Sequence, residues 1–170
     1  MTEKTYNLAD ICKAAIFQLD NFCEVNGLRN LVKPELVCIT CSSKEVYEAR
    51  KAYYEFDNRF IYQAPVSNRR IALIGLKESL RTSVGEIGLL EIVDQKPDNS
   101  QTDRLTHVGI VPQGIPYEEI IIKLKENGAN LEDRSRPDGY TACDVVLPTT
   151  FRIRIQKESL LGRVKREEMV

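Results

Sequence analysis

Apolar positions near the start of the chain recur at steps of three and four. Between residues 7 and 24 they are Leu8, Ile11, Cys12, Ala15, Ile16, Leu19 and Phe22. This spacing places them on one side of a helix with 3.6 residues per turn. Asn26-Gly27 supplies the stop, because glycine accepts the left-handed backbone conformation at a helix end. The pattern predicts one N-terminal helix that packs through a single face.

From Pro34 the pattern changes to short apolar runs, which favour strands. A strand is predicted over residues 35–41, followed by a helix of about three turns that Ser42 or Ser43 caps with its hydroxyl. Further strands are predicted over residues 60–63, 70–76 and 87–94. The order of this segment is therefore βαβββ.

The same order recurs after residues 96–103, which are rich in Pro, Asp, Asn and Ser and are typical of a linker. A strand over 106–111 precedes a helix over 116–126, which has Pro116 at its first turn and Gly128 just past its end. Three strands are predicted over residues 130–135, 140–147 and 150–156. The second segment is also βαβββ.

Two such modules exclude an alternating Rossmann-type sheet, which needs a helix after nearly every strand. We predict an α+β protein of two βαβββ modules, whose curved mixed sheets are each backed by one helix, with an extra N-terminal helix. The expected divisions are residues 1–30 for that helix, 31–97 and 98–158 for the modules, and 159–170 for a solvated C-terminal tail. Together they make one compact domain, which suits 170 residues.

Charge and hydropathy limit the classes of partner that the chain is expected to bind. The chain has 24 Lys and Arg against 25 Asp and Glu, so no global field attracts it to nucleic acid or to an anionic membrane. No apolar stretch approaches the roughly 18 residues that span a bilayer, and the first residues do not lead into a secretory apolar segment. We expect a cytoplasmic protein.

The five cysteines, at positions 12, 23, 38, 41 and 143, are expected to be free thiols. Their odd number and wide spacing do not fit a secreted disulfide framework. Cys38 and Cys41 form a CxxC sequence, but an odd offset on a strand points their side chains to opposite faces. Zinc or redox chemistry is therefore not expected from this pair.

Three strand sequences carry a resemblance to a known superfamily. Glu35-Leu-Val-Cys-Ile, Leu90-Glu91-Ile-Val and His107-Val-Gly-Ile-Val resemble the metal-bearing strands of glyoxalase-type vicinal-oxygen-chelate proteins. The resemblance covers roughly residues 30 to 158. With its leading helix and its tail, the chain is similar to the YecM-type branch of that superfamily.

The resemblance implies a concave cavity in which four strands hold a divalent metal. Carried over residue by residue, the implied metal ligands are Glu35, Glu91 and His107, and the metal is Zn, Mn, Ni or Fe. The implied chemistry is that of an isomerase, lyase or dioxygenase in which Glu91 transfers a proton.

The last strand departs from the family pattern, because Arg154 stands where the superfamily has a glutamate. Arginine stays protonated and cannot ligate a metal. Arg154 could instead neutralise Glu35 and Glu91, which would leave a metal-free cavity. Arg152, Arg154 and Gln156 are then candidates to bind a carboxylate or phosphate.

Three hypotheses remain open at this point: a metal-dependent enzyme, a metal-free protein that binds a small molecule, and a domain without chemistry in which these residues are merely structural. In the last, His107 is a satisfied strand residue and Glu91 faces water. The expected partner is a small oxygen-rich or anionic molecule, and relatives of the fold suggest a homodimer.

Overall fold

The computed structural model describes residues 7–168, which form four helices and eight strands. In chain order they are α1 (Leu8–Val25), β1 (Val32–Thr40), α2 (Lys44–Asp57), β2 (Arg59–Val66), β3 (Arg69–Thr82), β4 (Gly85–Val93), β5 (Arg104–Pro112), α3 (Tyr117–Glu126), β6 (Leu131–Asp133), β7 (Ala142–Val146), β8 (Arg152–Gln156) and α4 (Leu160–Glu168). The predicted fold class is confirmed: two βαβββ modules follow an N-terminal helix.

The two modules share one curved sheet with the strand order β2-β3-β4-β1-β5-β8-β7-β6. The sequence predicted a sheet in each module, and the structure joins the two through antiparallel pairing of β1 with β5. Only β1 with β4 and β5 with β8 pair in parallel, so the sheet is mixed. The first strand of each module therefore lies at the middle of the sheet.

The parallel pairs make the modules internally equivalent. Cys38 on β1 lies opposite Glu91 on β4, and His107 on β5 lies opposite Arg152 on β8. Cys38 also lies opposite His107 across the module boundary. The register alone thus brings these four residues to the same level of four adjacent strands.

Helices α1, α2 and α3 pack on one face of the sheet, here called the helix face. The side chains of Asn7 and Ser43 accept hydrogen bonds from the first turns of α1 and α2, as expected for N-caps. Gly27 follows α1 with a φ of 63°, which only glycine adopts without steric cost. None of the helices within residues 7–168 is long and apolar enough to cross a membrane, and the cytoplasmic location stays a prediction.

The opposite face, here called the cavity face, carries a second and smaller apolar cluster. Leu36, Leu73, Leu89 and Val93 form it together with Val164 of α4. The sequence predicted a short solvated helix in the tail after residue 158, but α4 buries Val164, which lies on the same side of the helix as Leu160 and Leu161. Helix α4 therefore covers part of the cavity face.

Candidate functional site

A cavity of about 820 Å³ opens on the cavity face over the central strands. Its volume falls in the range typical of pockets for small ligands. Seven cationic side chains and three carboxylates line it, namely Arg69, Lys96, Arg104, Arg134, Arg136, Arg152 and Arg154 with Glu91, Asp133 and Asp144. This excess of positive charge makes the cavity attractive to anions.

Three potential metal ligands meet on the floor of this cavity. The Sγ of Cys38, a carboxylate oxygen of Glu91 and a ring nitrogen of His107 all lie within 4.8 Å of one another. They come from three adjacent strands, β1, β4 and β5, at the level that the register sets. Two of the three sequence-predicted ligands, Glu91 and His107, are thus brought together, and Cys38 completes the group.

Burial keeps two members of the group neutral. It raises the pKa of the Cys38 thiol well above its usual value, and the nearby carboxylate of Glu91 raises it further. Burial likewise lowers the pKa of His107 well below its usual value, as does the positive charge of Arg154. At neutral pH the group therefore comprises a thiol and an uncharged imidazole.

Thr106 orients the imidazole. Its hydroxyl lies 3.3 Å from the carbonyl oxygen of Cys38, to which it donates, and 3.2 Å from Nδ1 of His107. Because the hydroxyl proton is used on the carbonyl, its oxygen accepts the Nδ1 proton. This assignment leaves Nε2 of His107 with a free lone pair, the state in which histidine ligates a metal.

A buried ion cluster stands beside the group, on β7 and β8. Asp144 is fully buried, and Arg154 binds it in a bidentate manner, with Nε donating at 2.7 Å and Nη2 at 3.1 Å. Arg134 donates to it at 2.9 Å, and Arg152 lies at 3.3 Å. Burial alone would raise the pKa of Asp144, but the hydrogen bonds and charge of Arg154 lower it below its usual value. Three guanidinium groups thus surround one buried carboxylate, and the cluster keeps a net positive charge.

The strand register changes which residue of the last strand corresponds to Glu91 of the first module. Arg152, rather than Arg154, lies opposite His107 as Glu91 lies opposite Cys38. Arg154 lies opposite Gly109, two residues further along β8. Both arginines line the cavity, their role in binding a substrate stays a prediction, and neither can ligate a metal.

Glu35 lies apart from this group, at the start of α4. Its carboxylate accepts hydrogen bonds from the backbone nitrogens of Leu160 at 2.9 Å and Leu161 at 3.1 Å, and from the Ser159 hydroxyl. Gln156 donates to it at 2.7 Å. Negative charge is favourable at a helix N-terminus, where backbone N–H groups lack partners. Glu35 and Gln156, both predicted site residues, thus hold α4 on the sheet.

Tyr140 contributes a polar group that the sequence did not single out. Its ring packs against the guanidinium groups of Arg136 and Arg163, at 4.3 and 5.7 Å. Burial raises its pKa to about 12, so the phenol keeps its proton. The hydroxyl makes no hydrogen bond within residues 7–168. No buried side-chain oxygen of these residues lacks a partner, so the hydroxyl is open to the cavity that Tyr140 lines.

Sequence reasoning missed Cys38 and Asp144. Cys38 was not predicted as a metal ligand, and the structure places Cys38 and Cys41 in apolar clusters on opposite faces of the sheet. Parity on β1 was the available signal, because an even offset puts Cys38 on the same face as Leu36 and Thr40. Asp144 offered the signal of a carboxylate inside an apolar strand.

No family model and no curated protein sequence matches this chain. Solved structures do match. "Structural Genomics, Protein EC4020" has a TM-score of 0.70 at 17% identity, covering 98% of this chain and 97% of that chain. The hydroxyglutarate synthase from Oryza sativa, in complex with 2-oxoadipate, has a TM-score of 0.60 at 8% identity, covering 100% and 87%.

A glyoxalase/bleomycin resistance protein/dioxygenase superfamily member from Vibrio splendidus 12B01 also matches, with a TM-score of 0.41 at 16% identity over 75% of this chain and 97% of that chain. All these identities are far below the level at which function transfers. The first two similarities establish the fold alone, and the function has to come from the site.

Proposed function

We propose that the cavity binds a small oxygen-rich anion beside a divalent metal held by Cys38, Glu91 and His107. One observation carries the proposal: three potential donors from adjacent strands converge within 4.8 Å on the floor of a cavity whose lining is positively charged. The finer assignment to the YecM-type branch of the vicinal-oxygen-chelate superfamily is part of this proposal.

The donor set fits a transition metal. Sulfur and nitrogen ligands of one tetrahedral zinc ion lie roughly 3.6 Å apart, so side-chain atoms within 4.8 Å of one another would have to approach by about 1 Å at most. A thiolate and an imidazole favour Zn, Ni or Fe over Mn, which prefers oxygen ligands. Cys38 must lose its proton to a bound metal, so metal affinity should rise with pH.

The proposed chemistry follows from a metal bound at this group and from the polar side chains around it. A bound divalent metal supplies Lewis-acid polarisation of a ligand oxygen, which suits an isomerase, lyase or dioxygenase. Glu91 is itself one of the three donors and is also proposed to transfer a proton, as the resemblance implied. The phenol of Tyr140 and the guanidinium of Arg154 are donors for a ligand oxyanion.

A second candidate is a metal-free protein that binds the same class of anion. It is favoured by the positive charge of Arg154, which acts on His107 and opposes a cation nearby. Burial of the Cys38 thiol acts in the same direction because it disfavours the thiolate. In this case Arg152 and Arg154 are the main ligand contacts.

Elemental analysis of protein purified without affinity-tag metals separates the two candidates. We expect about one Zn, Ni or Fe per chain, lost in Cys38→Ser and His107→Ala. Cys41→Ser is the matched control, because that thiol is buried on the helix face. Glu35→Gln should also keep its metal, since Glu35 holds α4 instead. Metal-free protein that takes up none of these ions on titration would favour the second candidate.

A further inference from the structure

The cations that line the cavity fall into two classes. Arg134, Arg136, Arg152 and Arg154 each have a carboxylate within 4.0 Å. Arg69, Lys96 and Arg104 have no such ion pair within residues 7–168. Arg69 donates only to the neutral side chain of Gln101, and the side chains of Lys96 and Arg104 make no hydrogen bond to the described residues. We call these three residues the open cationic rim.

The rim is assembled from three separate segments at one end of the sheet. Arg69 begins β3, after a turn in which Ser67 and Asn68 have φ values of 50° and 62°. Lys96 follows the end of β4, and Arg104 begins β5 opposite Thr40 of β1. All three side chains reach the same cavity as the Cys38, Glu91 and His107 group.

A network of side-chain amides fixes the segment that carries Lys96 and leads into Arg104. Gln95 is 8% exposed, and its side chain bonds the carbonyls of Ser42 and Gln101 and the backbone nitrogens of Lys96 and Gln101. The Gln101 amide donates to the carbonyls of Cys41 and Asp94. The segment between β4 and β5, which the sequence predicted as a linker, is thus tied to the strand ends.

Three cationic side chains without an ion pair within 4.0 Å at one end of the cavity produce a positive potential there, which favours an anion. From this we infer that the open cationic rim binds a second anionic group of the same ligand, so that the substrate class is a dianion. The inference rests on the proposed function, in which the other end of the ligand lies at Cys38, Glu91 and His107.

The spacing sets the length of the ligand. Arg104 lies opposite Thr40, two residues along β1 from Cys38, which is about 7 Å on an extended strand. An extended six-carbon diacid separates its carboxyl groups by roughly 6 Å. A 2-oxo acid of this length could place its oxo-acid end at the proposed metal site and its terminal group at the rim. A terminal carboxylate and a terminal phosphonate share this chemistry.

Calorimetric titration of the full, metal-loaded chain tests the inference with matched probes. 2-Oxoadipate and 2-oxohexanoate have the same carbon chain and differ only in the terminal carboxylate. We expect 2-oxoadipate to bind at least roughly tenfold more tightly, as a charge-assisted contact should give. Arg104→Gln and Arg69→Gln should remove most of that difference while changing the affinity for 2-oxohexanoate less than about twofold.

Arg81→Gln is the matched control. Arg81 lies near the other end of β3, its side chain is 91% exposed, and it does not line the cavity. This variant should therefore preserve the full preference for 2-oxoadipate. 5-Phosphono-2-oxopentanoate distinguishes the two anion types: tighter binding than 2-oxoadipate assigns the rim to a phosphoryl-type group, and weaker binding assigns it to a carboxylate.

The possible results distinguish a failure of the rim inference from a failure of the proposed function. Equal binding of 2-oxoadipate and 2-oxohexanoate, unaffected by Arg104→Gln, overturns the rim inference and leaves the proposed function standing. Binding of none of the three acids overturns the proposed function for oxo acids and the rim inference with it. A preference for 2-oxoadipate that survives both rim substitutions would place the second anion at Arg152 and Arg154 instead, which also overturns the inference.

Discussion

The two modules place different chemistry at equivalent positions of the same fold. In the first module, the parallel pair of β1 and β4 presents Cys38 and Glu91, both able to ligate a metal. In the second, the parallel pair of β5 and β8 presents His107 and Arg152, of which only the histidine can. At this level of the sheet the first module therefore offers two potential metal ligands, whereas the second offers one potential ligand opposite a cationic side chain.

The largest expected effect lies in the second module, at its buried carboxylate. Asp144→Asn leaves Arg134, Arg152 and Arg154 without their shared buried anion, and breaking a buried pair typically costs about 3–5 kcal/mol. Urea denaturation should show the loss in the free energy of unfolding. The control is Glu132→Gln, which removes a more exposed carboxylate from the same cluster and should reduce the free energy of unfolding much less, because solvent screens this ion pair. Equal losses in both variants would show that burial of Asp144 is not what matters.

The next effect is a pH dependence of stability that arises from His107, the sole histidine of the 170 residues. Its pKa in the folded protein lies well below the ordinary value of about 6.5, chiefly because of burial. Below pH 6.5 the unfolded chain binds a proton that the folded chain does not. Stability is therefore unaffected above this pH and falls as the pH decreases below it.

Unfolding of metal-free protein between pH 8 and pH 5 provides the measurement. His107→Gln should flatten the slope in this range, because carboxylates titrate mainly below it. Arg154→Met should reduce the slope, since the charge of Arg154 contributes to the lowered pKa. A wild-type curve that is already flat would mean that His107 keeps an ordinary pKa. Burial and the positive charge of Arg154 would then not lower it.

The fold could be read from the sequence because it depends on local signals. Helix spacing, the Ser43 cap and the Pro and Gly residues at helix ends all act within a few residues of one another. Strand lengths were less accessible: β3 runs to Thr82, although its pattern suggested an end near residue 76, because it resumes pairing with β4 after an irregularity beyond Gly75. Pairing between distant strands leaves little trace in one sequence.

The site was harder to predict because it depends on parity and register. Glu91 and His107 were identified through the resemblance, and the structure brings them together. Glu35 lies only three residues from Cys38, but a register irregularity between Pro34 and Leu36 and an odd offset give the two side chains different surroundings. The role of Glu35 at α4 depends on a helix more than 120 residues away in sequence. No local pattern encodes such a contact.

The smallest expected effect concerns Arg152, the residue of the second module that corresponds to Glu91 of the first. Arg152→Met removes a positive charge from the position equivalent to Glu91 without adding an oxygen ligand, and it leaves Arg154 bound to Asp144. We expect zinc affinity, measured by chelator competition, to rise about three- to tenfold, because a nearby cation opposes the ion through a partly screened interaction. The gain should shrink at high salt, and Arg81→Gln, which removes an equal charge outside the cavity, should give no gain. If Arg152→Met leaves zinc affinity unchanged, Glu132 and Asp144 already neutralise Arg152 completely. The difference between the modules would then lie only in which residues can ligate, and not in the charge that each contributes.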